Sequence, residues 1–136
     1  MYVTPLYAAV LALMFVVLSV RTLRLRRQLR IAVGDRGDKQ MLRSMRVHAN
    51  FAEYVPFSLL LIYMLEANNG TSVLIHALCV CLVVGRLSHA YGVSRVAEDH
   101  RYRVFGMSMT FTALSGAALG VLATMSCATF PEVCYG

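Results

Sequence analysis

Lysine and arginine are missing from most of this chain: none precedes Arg21, none lies between Arg46 and Arg86, and none follows Arg103. Charge of either sign is scarce, with 15% of 136 residues charged against 58% apolar. That balance is too apolar for a water-soluble domain of this length. The apolar runs also lack the polar/apolar alternation that a barrel strand needs, which excludes sheet. A cleavable secretory signal is not expected either. No basic residue precedes the apolar stretch 1–20, and arginines rather than small residues follow it. No stacking module accompanies the basic residues, so nucleic acid is not expected as a partner. No metal is expected.

What is present is a set of long apolar runs. A bilayer core roughly 30 Å thick takes about 20 helical residues to cross. The runs 1–20, 54–65, 67–85 (interrupted only by His76) and 104–131 carry no charge. They predict a single all-α domain, an integral membrane four-helix bundle, with helices at about 2–27, 40–66, 71–91 and 103–128. Nine of the thirteen basic residues fall between Arg21 and Arg46, and the others are Arg86, Arg95, Arg101 and Arg103. With four spans these groups flank the first and third connections. The positive-inside rule then puts both basic connections in the cytoplasm and both termini outside. The net charge of +6 would also attract anionic headgroups or an anionic substrate. Cys79 and Cys81 sit inside an apolar run and read as packing residues. Cys127 and Cys134 flank Pro131 near the outer end, where an oxidising compartment would let them pair.

The second run is too short. Residues 54–65 would rise only about 18 Å as a helix, and Asn68-Asn69-Gly70 downstream reads as a turn. The missing length must come from upstream, which draws Asn50 and Glu53 into or to the edge of the membrane. At about 100° per residue, Lys39, Arg43, Arg46, Asn50, Glu53 and Phe57 share one stripe. Ionisable groups at that depth face a bundle interior or a wet cleft and take partners. A structural ion pair between helices and a binding site both satisfy this pattern. Pro56 is expected to kink the same helix.

The third run, Thr71 to Gly85, is also short, which leaves Arg86 and His89 at or just inside the same interface on one helical face. Alone, Arg86 would be expected to snorkel to the headgroups. With Asn50, Glu53 and His89 at the same level it reads instead as part of a polar ring. Tyr91-Gly92 is expected to end or bend this helix, with 93–102 a polar connection. In the fourth run, Gly116-Ala-Ala-Leu-Gly120 is a small-residue pattern that permits close helix approach.

The strings Arg46-Val-His-Ala-Asn50-Phe-Ala-Glu53-Tyr-Val-Pro56, Gly85-Arg86-Leu-Ser-His89-Ala-Tyr91-Gly92 and Arg103-Val-Phe-Gly106-Met-Ser-Met-Thr110 together resemble the MAPEG family, the membrane-associated proteins in eicosanoid and glutathione metabolism, and in particular its bacterial members. The resemblance covers nearly the whole chain. It implies a homotrimer with glutathione, as co-substrate, bound between subunits in the cytoplasmic half of the membrane. It further implies transfer of glutathione to lipophilic electrophiles or reduction of lipid hydroperoxides. Matched position by position, Arg46, Asn50 and Glu53 correspond to the second-helix motif that holds glutathione, and His89 to a third-helix ligand. Arg103 corresponds to the catalytic arginine credited with stabilising the thiolate. Arg26, or alternatively Arg24, corresponds to a ligand after the first helix.

The residue types suit that ligand. Glutathione offers two carboxylates to arginines and one ammonium to an acid, and a nearby cation favours its thiolate. The chain departs from the lipid-synthesising members where two tyrosines are replaced at about Val93 and Met107, and where a second arginine of some members is Ala49. Tyr91 is the residue nearest to standing in for the missing tyrosines. A simpler site than that of an eicosanoid synthase is expected, in a multi-pass protein of a bacterial inner membrane. Its partners would be glutathione, a lipophilic small molecule and membrane lipid. The competing reading is a protein of the same fold that binds lipid or glutathione, or serves assembly, without catalysis.

Overall fold

The structure, a computed structural model, describes residues 2–94 and 100–129. Four helices follow one another: α1 (Thr4–Leu29), α2 (Lys39–Ala67), α3 (Ser72–Ser94) and α4 (His100–Thr129), with no strand among the described residues. The chain is all-α. The proposed pairing of Cys127 with Cys134 lies outside the described side chains.

Local chemistry sets the ends of these helices. Pro5 sits in the first turn of α1, where its missing N–H removes no helical bond. Arg30 closes the helix in the left-handed conformation with φ 53°. Asp38 caps α2, its Oδ1 accepting from the Met41 N–H at 2.7 Å. After Ala67 the chain reverses through Asn69, at φ 64°, and the Gly70 N–H donates back to the Leu65 carbonyl at 2.9 Å.

α1, α3 and α4 are each long and apolar enough to cross a membrane. α2 has the length, with 29 residues, but its N-terminal half carries Lys39, Arg43, Arg46 and Glu53. It runs unbroken through Pro56. α3 likewise continues through Tyr91 and Gly92 to Ser94, where the sequence pattern suggested a stop or bend. Gly92 has a packing role instead, because a Cβ there would lie 2.9 Å from the Tyr102 Cβ and 3.0 Å from the Arg103 nitrogen. Its missing side chain makes room for the start of α4.

The same device operates about two turns earlier in α3. A Cβ on Gly106 would sit 2.6 Å from both the Gly85 carbonyl oxygen and the His89 nitrogen, and a Cβ on Gly85 would meet the Gly106 carbonyl oxygen at 2.9 Å. The two backbones touch. Gly116 and Gly120, the pair singled out by spacing, receive side chains instead: Leu78 at the first and Leu65 at the second. They serve packing within the bundle. The core between the helices contains Phe51, Val55 and Ile62 of α2, Ile75, Cys79 and Leu82 of α3, and Ala113 and Ala117 of α4.

α1 rests on this unit along a narrow seam, through Thr4, Leu11 and Leu18. Leu6, Leu13, Val16, Val17 and Leu23 face outward. Apolar surface gains little by leaving lipid for protein, so polar contacts matter more here than they would in water. Both oxygens of the Glu66 carboxylate accept from the first turn of α1, from Val3 N–H at 2.5 Å and Thr4 N–H at 3.0 Å. Tyr7 bonds His76 at 2.9 Å, Ser19 bonds His48 at 3.0 Å, and Thr22 bonds Ser44 at 2.9 Å. Arg21 donates to Ser94 at the far end.

The Gly85 and Gly106 contact admits no methyl group without moving backbone. Gly106→Ala is therefore expected to destabilise the bundle by about 1–3 kcal/mol, read as a lowered midpoint of thermal unfolding in detergent. An unchanged midpoint would mean that α3 and α4 are not held this close.

Candidate functional site

The stripe of α2 predicted from spacing is, from Lys39 to Glu53 but without Phe57, one wall of a cavity of about 530 Å³. Lys39, Leu42, Arg43, Arg46, Ala49, Asn50 and Glu53 line it from α2, His89 and Val93 from α3, and Arg103 from α4. The volume is within the range of small-molecule sites, roughly 300–1,000 Å³. Its position follows from the fold. Gly92 lets the first turn of α4 approach α3 beside Arg103, and Gly106 lies against the backbone of His89. The glycine contacts thereby bring His89 and Arg103 to one edge, opposite α2.

Among the described lining residues, the cations Lys39, Arg43, Arg46 and Arg103 outnumber the carboxylate of Glu53. Such a lining favours an anionic ligand and keeps one acceptor for a cationic group. Arg43 donates to the Val93 carbonyl at 3.5 Å, which ties the cavity's α2 wall to α3. His89 is buried, while Arg46, Glu53 and Arg103 are exposed.

Arg86 joins the polar ring at Asn50, as its level with Asn50 and His89 suggested, but from behind the cavity wall. It is only 1% exposed and lies behind Asn50, donating from Nη1 to Asn50 Oδ1 at 2.7 Å and from Nη2 to Met107 Sδ at 3.4 Å. Its guanidinium also stands over the Tyr54 ring, 5.9 Å from the centroid. Snorkelling would require an exposed head, so this arginine faces inward. Gly85 immediately before it, like Gly92 two turns on, was the available signal that α3 has a crowded face there.

Two residues expected in the site lie elsewhere in this chain. Arg26 bonds the connection after α1, donating from Nη1 to the Gly34 carbonyl at 3.1 Å and the Ala32 carbonyl at 3.4 Å. Tyr91 is exposed and packs edge-on against Tyr102, with centroids 5.2 Å apart. Arg24, the alternative to Arg26, lines a separate hollow of about 470 Å³ on the α1 surface with Val16, Val17, Val20, Arg21, Leu25, Gln28 and Gln40. The departures noted in sequence do fall at the site. Ala49 and Val93 form cavity wall, and Met107 gives its sulfur to Arg86. No group of three or more metal-ligating side chains occurs among the described residues.

A helical membrane bundle with a cationic, amide- and acid-bearing cleft at one end defines the class. Comparison with known proteins narrows it: a family model described as the MAPEG family matches residues 4–123, and the chain belongs to that family. It is 37% identical over 112 residues to Inner membrane protein YecN of Escherichia coli K12, covering 82% of this chain and 84% of that protein. The same values hold for YecN of Escherichia coli O6:H1, strain CFT073. No solved structure matches the chain significantly.

Proposed function

We propose that this protein is a glutathione-dependent membrane enzyme of transferase or peroxidase type, acting on small lipophilic electrophiles or hydroperoxides. The observation that carries the reading is the convergence of Arg46, Asn50, Glu53, His89 and Arg103, drawn from three helices, on one cavity. The donor set fits the tripeptide. The arginines and Lys39 match its two carboxylates, Glu53 its ammonium, and Asn50 and His89 its polar backbone. Glutathione supplies a thiol of ordinary pKa about 8.5, whose anion is the nucleophile or reductant. Arg103 holds that anion electrostatically, and each pKa unit by which a cation favours the thiolate corresponds to about 1.4 kcal/mol. In transfer, the sulfur forms a bond to an electrophilic carbon while that carbon's bond to a leaving group breaks and the group departs with the electron pair, the thiol proton having gone to solvent. With an activated alkene the π bond breaks instead and the adjacent carbon takes up a proton. In peroxide reduction, two thiols become a disulfide while the hydroperoxide becomes alcohol and water. The lipophilic partner enters from the bilayer side.

Oligomeric state belongs to the same proposal. α1 leaves Val16, Val17 and Leu23 outward, and Arg24 borders a hollow on that surface rather than the cavity of its own chain. In a homotrimer an arginine so placed serves a neighbour's cavity, and the contact would cover part of the outer face of α1. Lipid covers the rest. The site end, rich in arginine, faces the cytoplasm of a bacterial inner-membrane protein, with both termini outside.

Three measurements test this reading. Glutathione titrated into purified protein in detergent should raise thiolate absorbance, and Arg103→Ala should remove most of that signal; no response from the wild-type protein would refute the thiol chemistry. Glu53→Gln should weaken glutathione binding about 10- to 100-fold through loss of a charged hydrogen bond. Full affinity in that variant would instead mark Glu53 as a structural residue. Chemical cross-linking in detergent should yield a trimer, whereas a persistent monomer would remove the intersubunit site.

A further inference from the structure

Arg86 is a cation buried to 1% exposure, and among the described residues no carboxylate pairs with it. Its Nε has no hydrogen-bond partner. One N–H is given to a thioether sulfur, a weak acceptor, and the oxygen it reaches is Asn50 Oδ1 at 2.7 Å. Leaving a buried guanidinium without an acceptor is costly, so the Asn50 amide is held strongly in one sense. A guanidinium has donors only. The Asn50 oxygen must therefore face Arg86, which leaves the Nδ2 donors for the cavity that Asn50 lines. The usual ambiguity of an amide's two ends is removed by its neighbour.

We infer that Arg86 is a positioning residue that fixes Asn50 as a hydrogen-bond donor to the ligand, so that the cavity selects an oxygen acceptor, a carboxylate or peptide carbonyl, at that point. This rests on the glutathione reading and adds a role to a residue that does not line the cavity. Arg86 acts through Asn50. One helical turn along α2, Glu53 presents only acceptors when ionised. Donor and acceptor are thus adjacent on one helix face, and the first is kept a donor by a cation behind it. A neutral residue at position 86 would free the amide to turn and would blur this discrimination.

The test is a double-mutant cycle on glutathione affinity in detergent, among variants whose thermal midpoints show them folded. Arg86→Lys should weaken binding fivefold or more with Asn50 present and less than twofold in the Asn50→Ala background. Equal factors in the two backgrounds overturn the inference. Asn50→Asp keeps a partner for Arg86 and replaces the donor by an acceptor, so it should retain or raise the thermal midpoint while losing tenfold or more in affinity. Wild-type affinity in Asn50→Asp, whatever the fate of Arg86→Lys, also overturns it. If the wild-type protein binds no glutathione, the functional reading fails and takes this inference with it; if it binds and the cycle is additive, only the inference fails.

Discussion

At Gly85 and Gly106 two helix backbones come together with no side chain between them, and the arrangement of the site depends on that contact. Glycine inside a helix costs about 1 kcal/mol relative to alanine, and both helices carry it here. In exchange α3 and α4 approach closely enough for His89 and Arg103 to face α2 across one cavity. A wider spacing at this crossing would separate the His89 wall from the Arg103 wall. Gly92 continues the contact to the first turn of α4, against Tyr102 and Arg103.

Around this unit the balance of forces differs from that of a protein in water. The outer faces of α1 and α4 expose Leu13, Val17, Phe111, Leu119 and Leu122, and lipid satisfies such surface as well as protein does. Specific position must then come from shape and from hydrogen bonds. The glycine contacts supply the first for α3 and α4. The second holds α1, through Glu66 at its N-terminus, His76 and His48 along its length, and Ser44 and Ser94 toward its end.

Much of this could be read from residue order, and the rest could not, for physical reasons. Charge-free runs and arginine clusters are properties of the chain itself, so the four helices and the stripe from Lys39 to Glu53 were legible before any packing was known. Which glycine meets which helix is a tertiary fact. Spacing favoured Gly116 and Gly120, yet those receive leucine side chains, while the backbone contact falls at Gly85 and Gly106. Gly92 looked like a stop because glycine ends helices in isolation, but packing against α4 overrides that preference. Arg86 was legible as one of a polar ring, but that Asn50, 36 residues away, is the residue it bonds is again a tertiary fact. Arg26 was matched to a ligand of a site between subunits, and within its own chain it bonds the carbonyls of Ala32 and Gly34.

The apolar half of α2 is too short to cross alone, and its other half is laden with basic residues, an amide and an acid. This has a consequence for how the chain enters a membrane. A helix that carries Asn50 and Glu53 at its edge has little reason to partition by itself. Its companion, α3, brings the hydrophobicity that α2 lacks, and the reversal at residues 68–71 is short enough for the two to enter as one hairpin. Within such a hairpin the Asn50 oxygen would be within reach of the Arg86 guanidinium, so this helix pair carries its own acceptor for the cation it buries.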